Sequence, residues 1–312
     1  MTANPHSPTA TPSAEAPALT EVADGVHAFL QPDGGWCLNN AGVLTGRDDT
    51  VLIDTAATRG RAELLRAMIA STGAPPPRFL VNTHSHGDHT FGNAAFPEAT
   101  VIAQEGTAAD MVAHGLHLTT LWPDVEWGEI GVDAPTVTYR DRMTVRAGGT
   151  VAELLHLGPA HSAYDTAVWL PAERVLFAGD LVMSGVTPFV MTGSVRGLLD
   201  ALETVRRLDP SVIVPGHGPV CGIEMLDANV RYLRWLSGLA CEAVASGVGP
   251  LEVASSVSLG EFSEWVDGER LVPNLFRACA EARGAEPGAV LDVGEMFGAM
   301  VKHYGGLPTC HA

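Results

Sequence analysis

Short apolar runs that end in polar or glycine-containing turns recur through the first two thirds of the chain. Runs of this length, rich in Val, Ile, Leu and Phe, are typical of buried strands. They predict strands over residues 26–30, 38–44, 50–55, 79–81, 100–103, 136–139, 143–146, 151–157, 166–170, 174–178 and 211–214.

Apolar residues at helical spacing interrupt this series of strands. In residues 59–71, Leu65 and Ile69 share one helical face and Gly73 follows, which predicts a helix that ends before the glycine. From residue 222 onward helical patterns dominate. The further predicted helices cover residues 105–113, 193–208, 223–246, 269–283 and 293–304.

This order of elements predicts an α/β fold with a core at residues 19–220. A helical extension at residues 221–312 is expected to pack on the core or to cap it, since no flexible linker separates the two. Residues 1–18 are rich in Pro, Ala, Thr and Ser and hold almost no bulky apolar side chain, so they predict a disordered tail.

Composition and charge narrow the class of protein. No apolar run approaches the roughly 20 residues that span a bilayer, and no secretory signal is visible, so we expect a cytoplasmic protein with no membrane partner. The net charge of −18 argues against a nucleic-acid surface. The scattered cysteines predict reduced thiols: Cys37, Cys221, Cys241, Cys279 and Cys310.

The densest candidate chemistry follows the strand predicted at residues 79–81, where four potential metal ligands stand close together: His84, His86, Asp88 and His89. Alternate residues of an extended segment point the same way, so the first two histidines can share one metal ion. A turn at Gly87 would let the aspartate and the third histidine reach a second position. The alternative is a polar loop whose histidines cap a helix at Thr90.

Three more candidates, His161, Asp180 and His217, each end an apolar run beside Gly or Pro. Loops at strand ends are where a rigid scaffold presents catalytic groups. Together with the first cluster these residues could hold two metal ions with open coordination positions. Imidazole and carboxylate ligands suit Zn²⁺ best, with Fe or Mn as alternatives, whereas Ca²⁺ and Mg²⁺ prefer oxygen shells.

In this order along the chain, Asp54, the His84-x-His86-x-Asp88-His89 cluster, His161, Asp180 and His217 resemble the metallo-β-lactamase-fold hydrolase superfamily over residues 19–220. The resemblance implies an αββα sandwich with the site at one edge of two packed sheets. It assigns a first metal ion to His84, His86 and His161, and a second to Asp88, His89 and His217. Asp180 would bridge the two ions, Asp54 would orient a ligand imidazole, and Asp88 and Asp180 would be the catalytic carboxylates.

The bridging Asp180, where true β-lactamases carry Cys or Ser, resembles glyoxalase II and related thioester hydrolases. The segments 158–161 and 175–180 and the helical C-terminal part also resemble the metallo-β-lactamase-fold cyclases and thioesterases of bacterial aromatic (type II) polyketide pathways, which serve antibiotic biosynthesis. That resemblance implies ring closure of a polyketide on an acyl carrier protein, followed by thioester hydrolysis.

Other interpretations remain at this point. A glyoxalase II-like hydrolase of small thioesters, an iron-dependent persulfide dioxygenase of the same fold, and a non-catalytic binding module all fit part of the pattern. The expected partner is a small-molecule or carrier-bound substrate, and a homodimer is possible. Candidate substrate contacts are Asn40, Tyr164 and Trp122.

Overall fold

The computed structural model describes residues 16–312 of the chain, whose strands form two sheets. The strands are β1 (Ala18–Ala23), β2 (Val26–Leu30), β3 (Ala41–Thr45), β4 (Thr50–Ile53), β5 (Phe79–Val81), β6 (Thr100–Gln104), β7 (Val137–Tyr139), β8 (Arg142–Ala147), β9 (Thr150–His156), β10 (Thr166–Leu170), β11 (Val175–Met183) and β12 (Val212–His217). A seven-stranded sheet has the order β1-β2-β3-β4-β5-β6-β7, and a five-stranded sheet has the order β12-β11-β10-β9-β8.

Helices follow the strands of both halves and dominate after β12. The α-helices are α1 (Arg59–Ser71), α2 (Gly87–Thr90), α3 (Glu105–His114), α4 (Leu118–Leu121), α5 (Val195–Leu208), α6 (Ile223–Ser246), α7 (Pro250–Ser256), α8 (Leu271–Ala282) and α9 (Val293–Tyr304). Short 3₁₀ helices cover Phe91–Ala95, Gly260–Phe262 and Gly268–Arg270. In the described part of the chain, no helix combines the length and the apolar character needed to cross a membrane.

Three apolar layers hold these elements together. Between the sheets, residues such as Ile53, Val81 and Phe177 form one buried cluster. On the outer face of the seven-stranded sheet, Leu65 and Ile69 of α1 pack against its strands. A third cluster joins the five-stranded sheet to α5, α6 and α8. Because β10 and β11 are covered on both faces, every residue in them is buried, which explains their continuous apolar sequence.

The predicted αββα sandwich is confirmed, and α1 has the bounds predicted from its apolar spacing. The strand β1 was not predicted because it lies at a sheet edge, half exposed, and has a mixed sequence. It begins at Ala18, one residue inside the predicted tail; residues 1–15 of that tail lie outside the described residues. The helix α7 was also missed.

The topology brings several strand ends to one edge. β4, β5 and β6 run parallel to one another, as do β11 and β12. β11 continues past Gly179 to Met183, five residues beyond its predicted end, because it follows β12 with an irregular register. The loops after β4 and β5, the loop between β9 and β10, and the C-terminal parts of β11 and β12 therefore meet at the same place, where the candidate ligands lie.

Candidate metal centre

All the candidate ligands converge at this edge in two groups. His84, His86, His161 and Asp180 form one group, and Asp88, His89 and His217 form the other. Within each group, one ligand atom per residue lies within 4.8 Å of all the others. The grouping matches the prediction that the first two histidines face one position and the following aspartate and histidine face another.

Local backbone structure explains how the first cluster is presented. His86 is the N-cap residue of α2 but makes no side-chain capping bond, so the capping interpretation does not describe it. Gly87 opens the helix. A Cβ there would lie 2.3 Å from the ring of Phe91, so Gly87 is needed for close packing and not for the turn that the sequence suggested. The one-turn helix then points Asp88 and His89 toward the second position.

Hydrogen bonds on the outer side of each ring fix the histidine tautomers. His161 Nδ1 donates to the carbonyl oxygen of Phe189 at 2.6 Å, and His217 Nδ1 donates to that of Gly34 at 2.9 Å. A carbonyl oxygen only accepts, so the proton of each neutral ring sits on Nδ1. Nε2 of each ring therefore presents its lone pair toward the cluster, as a metal ligand requires.

Asp54 orders the rings of the first cluster. Its Oδ2 lies 2.8 Å from His89 Nδ1 and accepts from the Thr83 hydroxyl at 2.7 Å, and its Oδ1 accepts from the Thr83 amide at 2.8 Å. Because the Thr83 hydroxyl donates to Asp54, its oxygen accepts from His84 Nδ1 at 3.0 Å. One carboxylate thus turns Nε2 of both His84 and His89 toward the centre.

The atoms left without partners test whether a metal ion suits this site. His84 Nε2, His89 Nε2 and Asp180 Oδ1 are buried and have no hydrogen-bond partner; the last two lie 3.1 Å apart but not in hydrogen-bonding geometry. Each such atom costs about 1–3 kcal/mol when nothing satisfies it. All three atoms belong to residues of the two ligand groups. They are nitrogen and oxygen donors of the kind that Zn²⁺, Fe or Mn accepts. The residues present therefore fit divalent cations.

Asp180 is the carboxylate with the most imidazole neighbours. Its oxygens lie 3.1 Å from His89 Nε2, 3.3 Å from His161 Nε2, 3.6 Å from His217 Nε2 and 3.8 Å from His84 Nε2. Burial favours the neutral acid, but the imidazoles, His217 first, outweigh burial and hold the pKa of Asp180 well below its usual range. Asp180 is therefore an anion placed between the two ligand groups.

The pKa values of the buried imidazoles shift in two directions, depending on how many carboxylates lie beside each ring. Burial, followed by the charge of His89, holds the pKa of His84 well below its usual range, and burial does the same for His86. Burial also opposes the charged form of His89, but the carboxylates of Asp180 and Asp54 outweigh it and keep its pKa well above the usual range. Neutral rings at His84 and His86 have lone pairs available for a metal ion.

An aromatic cluster borders the centre; we use this name for Trp36, Trp122, Phe189 and Phe297. Its ring centroids lie 5.3–6.3 Å apart, and the Phe189 ring lies 6.2 Å from that of His161. Met296 and Met300 of α9 pack into the same apolar group. The C-terminal helix thus packs against the aromatic cluster that borders the metal centre.

The three predicted substrate contacts have different surroundings. Trp122 belongs to the aromatic cluster and donates to the carbonyl oxygen of Pro308 at 2.8 Å. Asn40 is 4% exposed and gives both amide hydrogens to the β12 loop that carries His217, so it has no donor left for a substrate. Tyr164 is 37% exposed and its ring covers Gly106 of α3. Of the three, only Trp122 lies in the aromatic cluster beside the metal centre, and a substrate contact by any of them stays a prediction.

Sequence reasoning missed the groups that hold the ligands. Asp165 accepts from the backbone amides of Ala160 and Ser162, on either side of His161, and so fixes that loop. Its position four residues after a ligand histidine was a usable signal. The carbonyl oxygens of Gly34 and Phe189 carry no signal in the sequence, because every residue has such an oxygen.

Replacing Asp54 by asparagine is expected to lower metal affinity by about 10–100-fold, the usual effect of removing a group that orients a ligand. The single amide oxygen of asparagine cannot replace both carboxylate oxygens in the hydrogen bonds with His89 and Thr83. The NH₂ group of the asparagine would instead face one of these hydrogen-bond donors. Metal competition with a fluorescent chelator measures the change. Asp49→Asn is the matched control, since Asp49 bonds the Gly148 amide in a distant turn. Equal affinity in both variants would contradict the role given to Asp54.

Gly216→Ala is expected to lower kcat/KM about 100-fold, because a Cβ at this position would lie 1.9 Å from Asp180 Oδ1 and must displace that carboxylate. Gly238→Ala on α6 is the control: its Cβ meets nothing within 4 Å and should stabilise the fold by about 0.4–1 kcal/mol. Steady-state kinetics and urea unfolding of the two variants distinguish the outcomes. Unchanged kinetics in Gly216→Ala would show that the position of Asp180 is unimportant.

Comparison with known proteins places the site in a family context. The family model described as "Metallo-beta-lactamase superfamily" matches residues 34–217, a range that contains both ligand groups. A solved structure, a metallo-β-lactamase from Pontibacter korlensis, matches with a TM-score of 0.57 at 22% identity, over 70% of this chain and 99% of that chain. At this low sequence identity, the likeness to the solved structure shows only that the two proteins share a fold.

Two relatives have related sequences. The 2,4-dinitroanisole O-demethylase subunit alpha of Nocardioides sp. is 25% identical over 208 residues, which cover 66% of this chain and 60% of the relative. The hydroxyacylglutathione hydrolase of Methylococcus capsulatus is 28% identical over 153 residues, which cover 49% of this chain and 50% of the relative. The chain therefore spans less than two thirds of the length of either protein.

Proposed function

Since the chain belongs to the metallo-β-lactamase superfamily, a superfamily of metal-dependent hydrolases, we propose that it hydrolyses a thioester at a centre of two divalent metal ions. The observation that carries the proposal is the convergence of two complete ligand groups around one anionic carboxylate. A binding module without catalysis would not need this arrangement, and the absence of bound metal in purified protein would favour such a module.

We assign one cation to the first ligand group and the other to the second, with Asp180 between them. Bound there, divalent cations polarise a carbonyl group and lower the pKa of water from about 15.7 to about 7. Zn²⁺ suits the mixed imidazole and carboxylate set, and Fe or Mn suit it as well. The side chain of Asp88 is 13% exposed against 5% for Asp180, so Asp88 lies where the centre opens. We therefore assign Asp88 the role of accepting the proton of the attacking water.

A thioester suits this centre because its leaving group needs little help. A thiol has a pKa of about 8.5, so the departing thiolate is stable near neutral pH without a dedicated general acid. None of the carboxylates beside the ligand imidazoles is a proton donor: Asp54 accepts from Thr83 and faces His89, and the imidazoles outweigh burial and keep the pKa of Asp88 and of Asp180 below the usual range, so both are anions. The relative named hydroxyacylglutathione hydrolase also supports a thioester substrate.

The aromatic cluster favours an acyl group that is bulky and apolar. Its rings are 7–9% exposed, so only their edges are accessible and an acyl group would bind beside them. Removing one large apolar group from water contributes about 1.5–3 kcal/mol, enough to prefer an aromatic acyl chain over a small polar one by about tenfold or more.

Ring closure is a second candidate reaction, which the same aromatic cluster favours. We propose that a poly-β-ketone on an acyl carrier protein could bind against Trp36 and Trp122 and undergo aldol closure before release. In that reaction Asp88 would remove a proton between two carbonyl groups, and the thioester would be hydrolysed afterwards. Because ring closure and thioester hydrolysis would occur at the same centre, they need separate assays.

The test uses the zinc-loaded full chain with three substrates: a naphthoyl thioester of N-acetylcysteamine, the matched oxygen ester, and S-lactoylglutathione. We expect the aromatic thioester to be cleaved at least about tenfold faster than either of the others, a barrier difference of about 1.4 kcal/mol. Faster cleavage of S-lactoylglutathione would favour a glyoxalase II-like role. Cleavage of none of them, with oxygen uptake on a persulfide, would favour an iron dioxygenase.

A short poly-β-ketone thioester tests ring closure separately. A product that has lost water relative to the linear acid, found by mass spectrometry, supports the cyclase. Release of the linear acid alone leaves simple hydrolysis as the function and contradicts the second candidate.

A further inference from the structure

A pair of thiols lies beside the metal centre. Cys37 is 3% exposed and Cys310 is half-buried, and both are free thiols. Both pack into the apolar group that contains the aromatic cluster, and each thiol shifts the pKa of the other, so the two side chains are neighbours. Asp88 lies near enough to act electrostatically on both thiols. The pair therefore packs with the aromatic cluster that borders the metal centre.

Hydrogen bonds to the main chain hold the segment that contains Cys310 close to Cys37. Residues 308–312 are held against the core by polar contacts on both sides of Cys310, so its position does not depend on one side-chain rotamer. These contacts are His311 N to Trp36 O at 3.2 Å, Arg61 Nη2 to His311 O at 2.7 Å, and Trp122 Nε1 to Pro308 O at 2.8 Å. Trp36 precedes Cys37 and His311 follows Cys310, so the first contact sets the two cysteines side by side.

Backbone conformation suggests that the thiol at position 37 has a use. Cys37 has a φ of +67°, in the left-handed region where a residue with a Cβ costs about 1–2 kcal/mol relative to glycine. Packing alone does not explain a cysteine here, since the neighbouring Gly34 and Gly35 show that this loop accepts glycine. A reactive role for the sulfur would explain why this position keeps a cysteine despite the unfavourable backbone conformation.

We propose that Cys37 and Cys310 form a disulfide under oxidising conditions and thereby fix residues 308–312 across the approach to the metal centre. In the reduced protein only the hydrogen bonds described above hold this segment, and their opening would let a substrate reach Asp88 and the aromatic cluster. Oxidation would hold the segment closed and slow turnover. The disulfide itself depends on the fold alone, and only its effect on turnover rests on the proposed function.

The exchange needs only a disulfide oxidant such as glutathione disulfide. The thiolate of Cys310 attacks one glutathione sulfur, and the S–S bond breaks to release one glutathione thiolate. The thiolate of Cys37 then attacks Cys310 Sγ in the mixed disulfide and releases the second. Both protein protons pass to the two glutathione thiolates. The hydrogen bond from Cys37, followed by one from the Ala312 amide, outweighs burial and lowers the pKa of Cys310, which makes it the attacking thiol.

The experiment treats the metal-loaded full chain with glutathione disulfide and maps the products by mass spectrometry of peptides. We expect one disulfide, between Cys37 and Cys310, and an intact mass lower by two hydrogens. Turnover of the best thioester should fall at least tenfold and return on reduction. Cys310→Ser should keep full turnover after the same treatment. The matched control is Cys241→Ser, which removes an exposed thiol and should still form the disulfide.

A readout without substrate keeps the proposal separate from the proposed function. The rate at which a chelator removes metal from the centre should be slower in the oxidised protein than in the reduced protein. A different cysteine pairing, or a glutathione adduct on Cys310 with no internal disulfide, overturns the proposal. So does a mapped Cys37–Cys310 disulfide that changes neither metal release nor turnover.

Discussion

Replacing Asp180 by alanine is expected to lower kcat/KM for the thioester by about 10³-fold or more, a loss of at least about 4 kcal/mol. Asp180 is the anion that four imidazoles approach within 3.8 Å, and it lies between the two ligand groups. If Asp180 belongs to both metal sites as proposed, its removal would take one ligand from each and leave the buried positive charge without its neutralising partner. Kinetics together with metal analysis of the purified variant measure both consequences.

The control for this substitution is Asp200→Asn, which changes an exposed carboxylate on α5 and should leave metal content and turnover unchanged. The Asp180 variant should bind fewer than two metal ions per chain. If it retains two ions and full turnover, then Asp180 bridges nothing and the centre works differently. Full metal content with lost turnover would mean that the carboxylate acts in the reaction and not in binding.

Removing the divalent cations with a chelator is expected to abolish thioester hydrolysis and to lower the melting temperature. Without a cation, His84 Nε2, His89 Nε2 and Asp180 Oδ1 remain buried and unpaired. At a metal concentration about 100 times Kd, each occupied site adds about 2.7 kcal/mol to the free energy of unfolding. With about 2–4 °C for each kcal/mol, two sites should raise Tm by about 10–20 °C.

Differential scanning calorimetry of the apo and zinc-loaded protein measures this shift, and re-addition of zinc should restore both Tm and turnover. The Asp180→Ala variant is the internal control, because its Tm should respond much less to the chelator. Full hydrolysis by protein shown to contain no metal would mean that a separate site carries out the reaction. An unchanged Tm would mean that the ligand groups do not bind cations in the folded chain.

The ligand residues differ in how clearly the sequence reveals them. His84, His86, Asp88 and His89 could be recognised from their spacing alone, because ligands close in sequence share one short segment. His161, Asp180 and His217 gave only the weak signal of a polar residue at a strand end. Their place in the centre followed from the order in which they resemble a known family, and the structure shows the strand ends that bring them together.

Contacts between distant segments account for what the sequence did not reveal. Asn40 stands near a predicted strand end, as a substrate contact would, yet its amide bonds the main chain beside His217. Tyr164 follows a ligand by three residues, yet its ring turns to α3. The five cysteines were expected to be reduced thiols scattered along the chain, and the fold brings two of them, Cys37 and Cys310, into the same apolar group.

The sequence by itself determined most of the strands and helices and the kinds of atom available to bind a metal ion. Those properties depend on apolar runs and side-chain chemistry, which are local. Only the tertiary structure decided which carbonyl oxygens orient the histidines, which carboxylate neighbours which ring, and which face α9 covers. These depend on how segments far apart in the chain cross, because burial and hydrogen bonding select partners by distance in space and not by position in the sequence.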